Sequence, residues 1–502
     1  MTSIAFRNVE VLDGLGGQAL ATDVGVEDGR ITKIGDVPDL EVEVDGLGCT
    51  LAPGFIDTHA HDDGAFIRHP GMEFKLQQGV TTVVSGNCGF SAIPTNPTVD
   101  QAAASGGILA GLNGDFVDLE GYFSTVLTGK PSINNMMLVG HNTVRSLVLG
   151  DENREPTDRE INAMEAHVSL ALEQGCCGFS SGLIYRPGRY SSTQEVVQLA
   201  KVAGQFDALY TTHMRNEGDK LLEAVDEALL IGKESGAHLH ISHHKAAGKA
   251  NWGKVTKSLS KIEQALIAGQ QVTLDVYPYT AGSGRMIEYF NLDNPDEELA
   301  RSIRIASCPA NRSYEGRMLQ DIAQEEGKSM QQMVRSVLLS PGGEKTICIH
   351  FVISEDDVET NISQPDMMIG SDGIPDLKGR PHPRLFGTFP RVLGHYVRER
   401  KILSLSEAVR RMTSLPALTF GMLERGQIKE GYFADLVLFD PDVVLDQATY
   451  DDPKQSPIGI KMVVVNGEIA LSEGLTTSVG SGQMLRYNRE HFKLGSSSQD
   501  CR

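Results

Sequence analysis

Two histidines stand two residues apart in Asp57-Thr-His59-Ala-His61. On an extended strand, residues i and i+2 project to one side, so both imidazoles can reach a single ion. The run before them, LAPGFID at 51–57, reads as a strand that ends where the pair begins. An isolated His-x-His pair is commonly a surface accident; this placement favours metal ligation. Four further residues share it. Cys88 follows an apolar run at 81–84 and lies between Gly86 and Gly89. A free cysteine is usually core filler. Here a glycine-bounded turn brings backbone close to whatever the sulfur touches, and a nearby cation would hold it as thiolate. His213 closes the run 209–213, and His243 closes 239–243. His240 lies deeper on that strand and His244 faces the other way, so His243 is preferred. Asp372 follows 367–370 and precedes Gly373. An Asp-Gly pair is often only a turn, but at a strand end beside such neighbours it can ligate metal and accept the proton of an activated water. Nitrogen, sulfur and carboxylate donors together predict one or two zinc ions.

Side chains this far apart in sequence need a scaffold that gathers strand ends. From Pro53 to about Gly421, short apolar runs alternate with helical patterns. Eight candidate strands fall at 54–59, 81–86, 136–140, 178–183, 209–213, 239–243, 272–277 and 367–370. That order predicts a (β/α)8 barrel, whose active sites lie at the C-terminal ends of the strands. Ser192 with Glu195, and Ser404 with Glu407, carry capping-box spacing before apolar helical faces. Residues 1–52 and 422–480 alternate apolar and polar residues between Gly and Asp breaks, so both termini are expected to build one small β-sandwich. The barrel domain is expected at 53–421, with an inserted subdomain at about 285–345 because the seventh connection is too long for one helix. It reads equally as a lid over the barrel mouth or a peripheral decoration. Residues 481–502 form a tail, polar after about Lys493.

Composition narrows the function classes. The chain has 502 residues, 40% hydrophobic and 22% charged, with ample apolar material for a large core. Its formal net charge of −21, from 66 acidic and 45 basic side chains, argues against nucleic acid as a partner. Seven cysteines without a framework argue against a disulfide scaffold. The first twenty residues show no basic start and apolar run, and no stretch approaches a membrane span, so the cytoplasm is the expected location.

The combined stations resemble the amidohydrolase superfamily. Within it, Ser85-Gly-Asn-Cys88-Gly, Thr212-His-Met-Arg-Asn-Glu217, Ser242-His-His-Lys245, Asn251-Trp-Gly, Tyr277-Pro-Tyr-Thr280 and Pro381-His-Pro-Arg384-Leu resemble the D-aminoacylases, the N-acyl-D-amino-acid deacylases. The resemblance runs from about Ile4 to Gly474. It implies a tight zinc on Cys88, His213 and His243, and a weaker second metal position at His59, His61 and Asp372 with Cys88 able to bridge. Many relatives in the superfamily bridge two metals with a carbamylated lysine on the fourth strand; 178–183 contains no lysine. The resemblance also implies a clamp for the substrate carboxylate made by Tyr185, Lys245, Tyr277 and Arg384. From its position, Ser283 is expected in the pocket wall. Arg186 beside Tyr185 departs from familiar versions of the family and is expected to add positive charge near the pocket. The expected reaction is zinc-dependent hydrolysis of small N-acyl-D-amino acids, with metal-activated water as nucleophile and Asp372 as general base, then acid. Rival readings are a hydantoinase- or dihydroorotase-like cyclic-amide hydrolase, another N-acyl hydrolase, and an inactive scaffold on the same fold. Side-chain preference, metal stoichiometry and oligomeric state are left open.

Overall fold

The structure, a computed structural model, describes residues 2–95, 109 and 116–487. Eight parallel strands follow one another in chain order around a barrel: Phe55–Asp57, Val80–Ser85, Asn134–Gly140, Gly178–Gly182, Leu209–His213, His238–Ile241, Val272–Val276 and Met367–Ile369. The last strand returns to the first through an Ala60–Gly373 bridge, and Asp372 N–H donates to the His59 carbonyl at 2.7 Å. Nearly every strand residue is buried, as a parallel sheet covered on both faces requires. Each expected barrel strand is present, but several ladders stop short. The sixth ends at Ile241 and the eighth at Ile369, so His243 and Asp372 lie in the loops just beyond.

Helices pack outside the strands. Ser192 accepts from Glu195 N–H at 3.3 Å and starts Thr193–Gln205, which buries Val196, Val197, Ala200 and Ala203. The reciprocal half of that capping box is not made. The Glu195 carboxylate turns inward to His141 Nε2 at 2.9 Å and Arg145 Nε at 3.0 Å. Ser404 likewise caps Leu405–Met412 while Glu407 pairs with Arg410 and Arg411.

The termini share one nine-stranded sheet. Thr50–Pro53 from the N-terminal part pairs antiparallel with Leu436–Phe439 from the C-terminal part. Ile4, Phe6, Val24, Leu51, Leu436 and Val464 fill its interior. The segment after the seventh barrel strand forms a separate antiparallel sheet, Gly282–Arg285 against Ile347–His350 against Ile303–Ser307. Its helices Leu319–Glu325 and Met330–Leu338 close a core of their own, with Ile305, Ile322, Met333 and Val337 at its centre. Among the described residues no helix is long and apolar enough to cross a membrane. The tail after Lys493 lies outside the described residues.

Candidate active site

The six candidate ligands meet at the C-terminal rim of the barrel. Cys88 is 1% exposed and its Sγ lies 3.2 Å from His59 Nε2, 3.4 Å from His243 Nε2 and 3.6 Å from His213 Nδ1. Donors about 2.0–2.3 Å from a tetrahedral zinc stand about 3.5 Å from one another. The spacing therefore fits ligands around one ion better than it fits close-packed core side chains. A second group overlaps the first: His61 Nε2 and His59 Nε2 lie 3.1 and 3.6 Å from Asp372 Oδ1. His59 belongs to both groups: His59, Cys88 and His243 hold their ligand atoms within 4.8 Å of one another, as do His59, His61 and Asp372, while His213 forms a third such group with Glu217 and His243.

Local backbone explains how these side chains turn inward. Cys88, His243 and Asp372 all have positive φ, at 54°, 37° and 50°. Non-glycine residues hold such conformations only where the surroundings fix them. Around Cys88 the fixing is steric. A Cβ on Gly86 would meet the Leu138 carbonyl at 2.1 Å, and one on Gly89 would meet Asn142 Oδ1 at 2.2 Å. Only glycine lets this turn approach its neighbours. His243 is held by its own N–H, which donates to Asp275 Oδ1 at 2.6 Å.

Charge reinforces the arrangement. Burial pushes the Cys88 thiol up, but His59 and His243 outweigh it and hold the thiol well below its ordinary value. Burial also raises the Asp372 carboxyl, and Arg384 with His61 and His243 reverses that. Burial holds His213 below the usual imidazole value, so it is neutral. Burial lowers the other three rings too, but Cys88 with Asp275 holds His59 above the usual imidazole value, Asp372 with Cys88 raises His61 to about 9, and Glu217 with Cys88 raises His243. A divalent cation binds thiolate, carboxylate and neutral imidazole, so its binding here would displace protons from these three rings.

Behind these groups stands a layer that strand-end reading did not identify. Glu217 places Oε1 3.1 Å from His243 Nδ1 and Oε2 3.5 Å from His213 Nε2, and it pairs with Lys245 at 2.5 Å. Asp275 accepts from His240 Nε2 at 2.8 Å and lies 3.6 Å from His59 Nδ1. Lys75, fully buried, bonds Asp57 at 2.6 Å, Asp62 at 3.1 Å and Ser371 Oγ at 3.0 Å. Asp57 Oδ1 also accepts from Ser371 N–H at 2.8 Å. This network ties the end of the first strand to the end of the eighth. Glu217 closes the Thr212-His-Met-Arg-Asn-Glu217 motif, and its spacing of i+4 from His213 was the available signal.

The expected clamp also converges. Arg384 Nη1 lies 3.0 Å from Asp372 Oδ2, and its guanidinium stacks over the Tyr277 ring at 4.5 Å. Lys245 Nζ stands 5.5 Å over the same ring, and the Tyr185 ring contacts His213 at 4.7 Å. Ser283 contributes its carbonyl, which accepts from Arg384 Nη2 at 3.3 Å. Arg186 is directed outward, 3.8 Å from Asp151.

Comparison with known proteins bears on the family and the fold. Residues 193–471 match the amidohydrolase family. The chain is 42% identical to an N-acyl-D-glutamate deacylase of Alcaligenes xylosoxydans xylosoxydans over 91% of both proteins. It is 39% identical to a D-aminoacylase of the same organism, covering 95% of this chain and 96% of that one. The crystal structure of N-acyl-D-glutamate deacylase from Bordetella bronchiseptica superimposes with a TM-score of 0.90, at 39% identity, covering 97% of this chain and 99% of that one. That structure is complexed with zinc and a phosphonate inhibitor that mimics the tetrahedral intermediate.

Proposed function

The chain belongs to the amidohydrolase family, among the D-aminoacylases, and from that membership and its rim geometry we propose that it hydrolyses N-acyl-D-amino acids to a carboxylate and a free D-amino acid. The observation that carries the reading is the meeting of Cys88 Sγ with His213 and His243 at ligand-to-ligand spacing, with Asp372 and Arg384 paired beside them. Cys88, His213 and His243 would hold one zinc, and His59, His61 and Asp372 a second, weaker position. Bound there, zinc supplies an activated water at neutral pH and polarises the acyl carbonyl.

The chain's own groups do the rest. Arg384 and Lys245 offer a planar fork and a point charge to the substrate's α-carboxylate, with Tyr185 and Tyr277 closing the pocket around it. Asp372 Oδ1 faces His59 and His61, so this carboxylate accepts the water's proton and passes it to the departing amine. Glu217 and Asp275 orient the imidazoles from behind, as carboxylates do at metal-binding histidines. The fourth strand, Gly178–Gly182, offers no lysine bridge, which disfavours the cyclic-amide reading. Among the described residues six cysteines stand without a disulfide, a usage that suits a reducing compartment, and the cytoplasm is the proposed location.

The decisive experiment is a panel of N-acetyl-D- and L-amino acids with chiral product detection, run across graded zinc. Hydrolysis restricted to D-substrates and dependent on zinc is the expected result. Turnover of hydantoin or dihydroorotate with no D-amino acid released would overturn it.

A further inference from the structure

The turn that carries Cys88 leans on strands other than its own. It leaves the second barrel strand at Gly86 and crosses the end of the third. A Cβ on Gly140 would meet the Gly89 carbonyl at 2.3 Å, so the crossing needs a third strand that ends in glycine. Beyond it the turn reaches the fourth strand, Gly178-Phe-Ser-Ser-Gly182. Side chains on a strand alternate between faces, so Ser180 and Gly182 share one. A Cβ on Gly182 would stand 2.0 Å from the Cys88 carbonyl; glycine leaves that space to the turn. Ser180 then holds it. The hydroxyl donates to the Gly86 carbonyl at 2.5 Å and accepts from Gly89 N–H at 3.1 Å. A hydroxyl is donor and acceptor at once, so one serine satisfies both groups of the same turn.

A second side chain holds the segment from another side. Asp63 Oδ2 accepts from Gly86 N–H at 3.3 Å, and Oδ1 accepts from Ala92 N–H at 3.0 Å. The Asp63 backbone is itself fixed, because the Tyr122 hydroxyl donates to its carbonyl at 2.8 Å. Ser180 and Asp63 are both fully buried. Both act on the backbone of 86–92 rather than on a metal-ligating atom. That backbone carries Cys88 at positive φ, a conformation that persists only where the surroundings over-determine it.

We infer that Ser180 and Asp63 are positioning residues for Cys88: they clasp its turn from two sides and so place the sulfur among His59, His213 and His243. The inference rests on the reading of Cys88 as a metal ligand. It gives the fourth strand, which carries no histidine, cysteine or acidic side chain between Gly178 and Gly182, a part in the metal site.

The test uses the zinc enzyme and its cobalt-substituted form. Cobalt bound by a thiolate gives a near-ultraviolet charge-transfer band, which reports on the sulfur directly. Ser180→Ala leaves a buried N–H and a buried carbonyl of the turn unpaired. It should raise the zinc dissociation constant, measured by chelator competition, about tenfold or more, and weaken or shift the cobalt band at equal cobalt content. Asp63→Asn sets an amide N–H against one of the two backbone donors and should act in the same direction. Ser235→Ala is the matched control. Ser235, buried at the end of the helix Leu221–Ser235, also accepts from a backbone N–H, that of Ala237 at 3.2 Å, and donates to a carbonyl, that of Gly232 at 3.1 Å. Its loss should lower thermal stability comparably while zinc affinity and the cobalt band keep their parental values. Parental zinc affinity and band in Ser180→Ala or Asp63→Asn would overturn the inference for that residue, leaving it a part in folding alone. If Asp63→Asn fails to fold, Ser180→Ala decides. A parent cobalt enzyme without a thiolate band would instead remove Cys88 from the ligands, and with it the reading on which the inference rests.

Discussion

The barrel rim and the inserted sheet are built on different principles. At the rim, charged groups are buried in direct contact, and three of the six candidate ligands sit in backbone conformations that cost about 1–3 kcal/mol each. Around His243 and Asp372 the fixing comes from Lys75, Asp57, Asp275 and Glu217, through bonds that cross between strands far apart in sequence, and around Cys88 from the close approach that Gly86 and Gly89 allow. The inserted unit packs around its own apolar core and meets the rest of the chain through polar contacts, among them Arg189 with Glu288, Arg384 with the Ser283 carbonyl and Arg380 N–H with the Ala306 carbonyl, and through a small apolar patch of Ala306, Ile347 and Ile349 beside Tyr450. The contrast teaches a division of labour. The candidate ligands are fixed by the barrel itself; the inserted unit is packed separately and reaches them through Arg384, which touches both Asp372 and the Ser283 carbonyl.

Asp372→Asn gives the largest test of the rim. It keeps the shape and removes the proton acceptor, so kcat should fall by about a thousandfold or more. Zinc content, measured by elemental analysis, should stay near one equivalent at the Cys88 group. A zinc-loaded variant with near-normal kcat would end the assignment of Asp372. Cys88→Ala should come next. It removes the sulfur that all three imidazoles face, and the tightly held zinc should be lost with most of the activity. Full metal occupancy in that variant would show that the sulfur only fills space. Arg384→Ala tests the seam between the two regions, since this side chain touches Asp372 on one side and the Ser283 carbonyl on the other. Loss of a charged fork should reduce kcat/KM about 10- to 100-fold, chiefly through KM. An unchanged kcat/KM would remove Arg384 from the clamp.

The same division decided what could be read from sequence. All eight barrel strands announced themselves as apolar runs, and their ends pointed to the ligands, because a parallel barrel converts order along the chain into position around a rim. The supporting charges were illegible for the converse reason. Lys75 in Glu73–Leu76 looks like a solvated helix position, and becomes buried only because Asp57 and Asp62 fold over it. Asp275 is one carboxylate inside an apolar strand, and nothing local states that His240 and the His243 backbone will meet it. Glu195 carried a true helix-start signal, yet its carboxylate was drawn to His141 and Arg145 instead. The inserted sheet showed itself only as excess length. Gly282-Ser-Gly-Arg285 has little strand propensity, and its partner Ile347–His350 lies far along the chain.

The smallest expected effect bears most directly on whether the two regions are separable. Glu288 is buried between Arg285 Nη1 and Arg189 Nη2, each 3.2 Å from one carboxylate oxygen. Arg189 belongs to the loop after the fourth barrel strand, so this carboxylate pins the inserted unit to the barrel beside the pocket. Glu288→Gln keeps the volume and an acceptor oxygen but removes the charge that both guanidiniums face. Breaking one side of a buried ion pair destabilises by about 3–5 kcal/mol; an isostere that still accepts a hydrogen bond should lose less, about 1–2 kcal/mol. That loss falls on the docking of the inserted unit, so hydrogen exchange across 282–350 should quicken while the barrel strands stay protected. KM should rise a few-fold, and kcat and zinc content should hold. If kcat or zinc fell as steeply as in the rim variants, the inserted sheet would be part of the catalytic frame, and the division drawn between the two regions would fail.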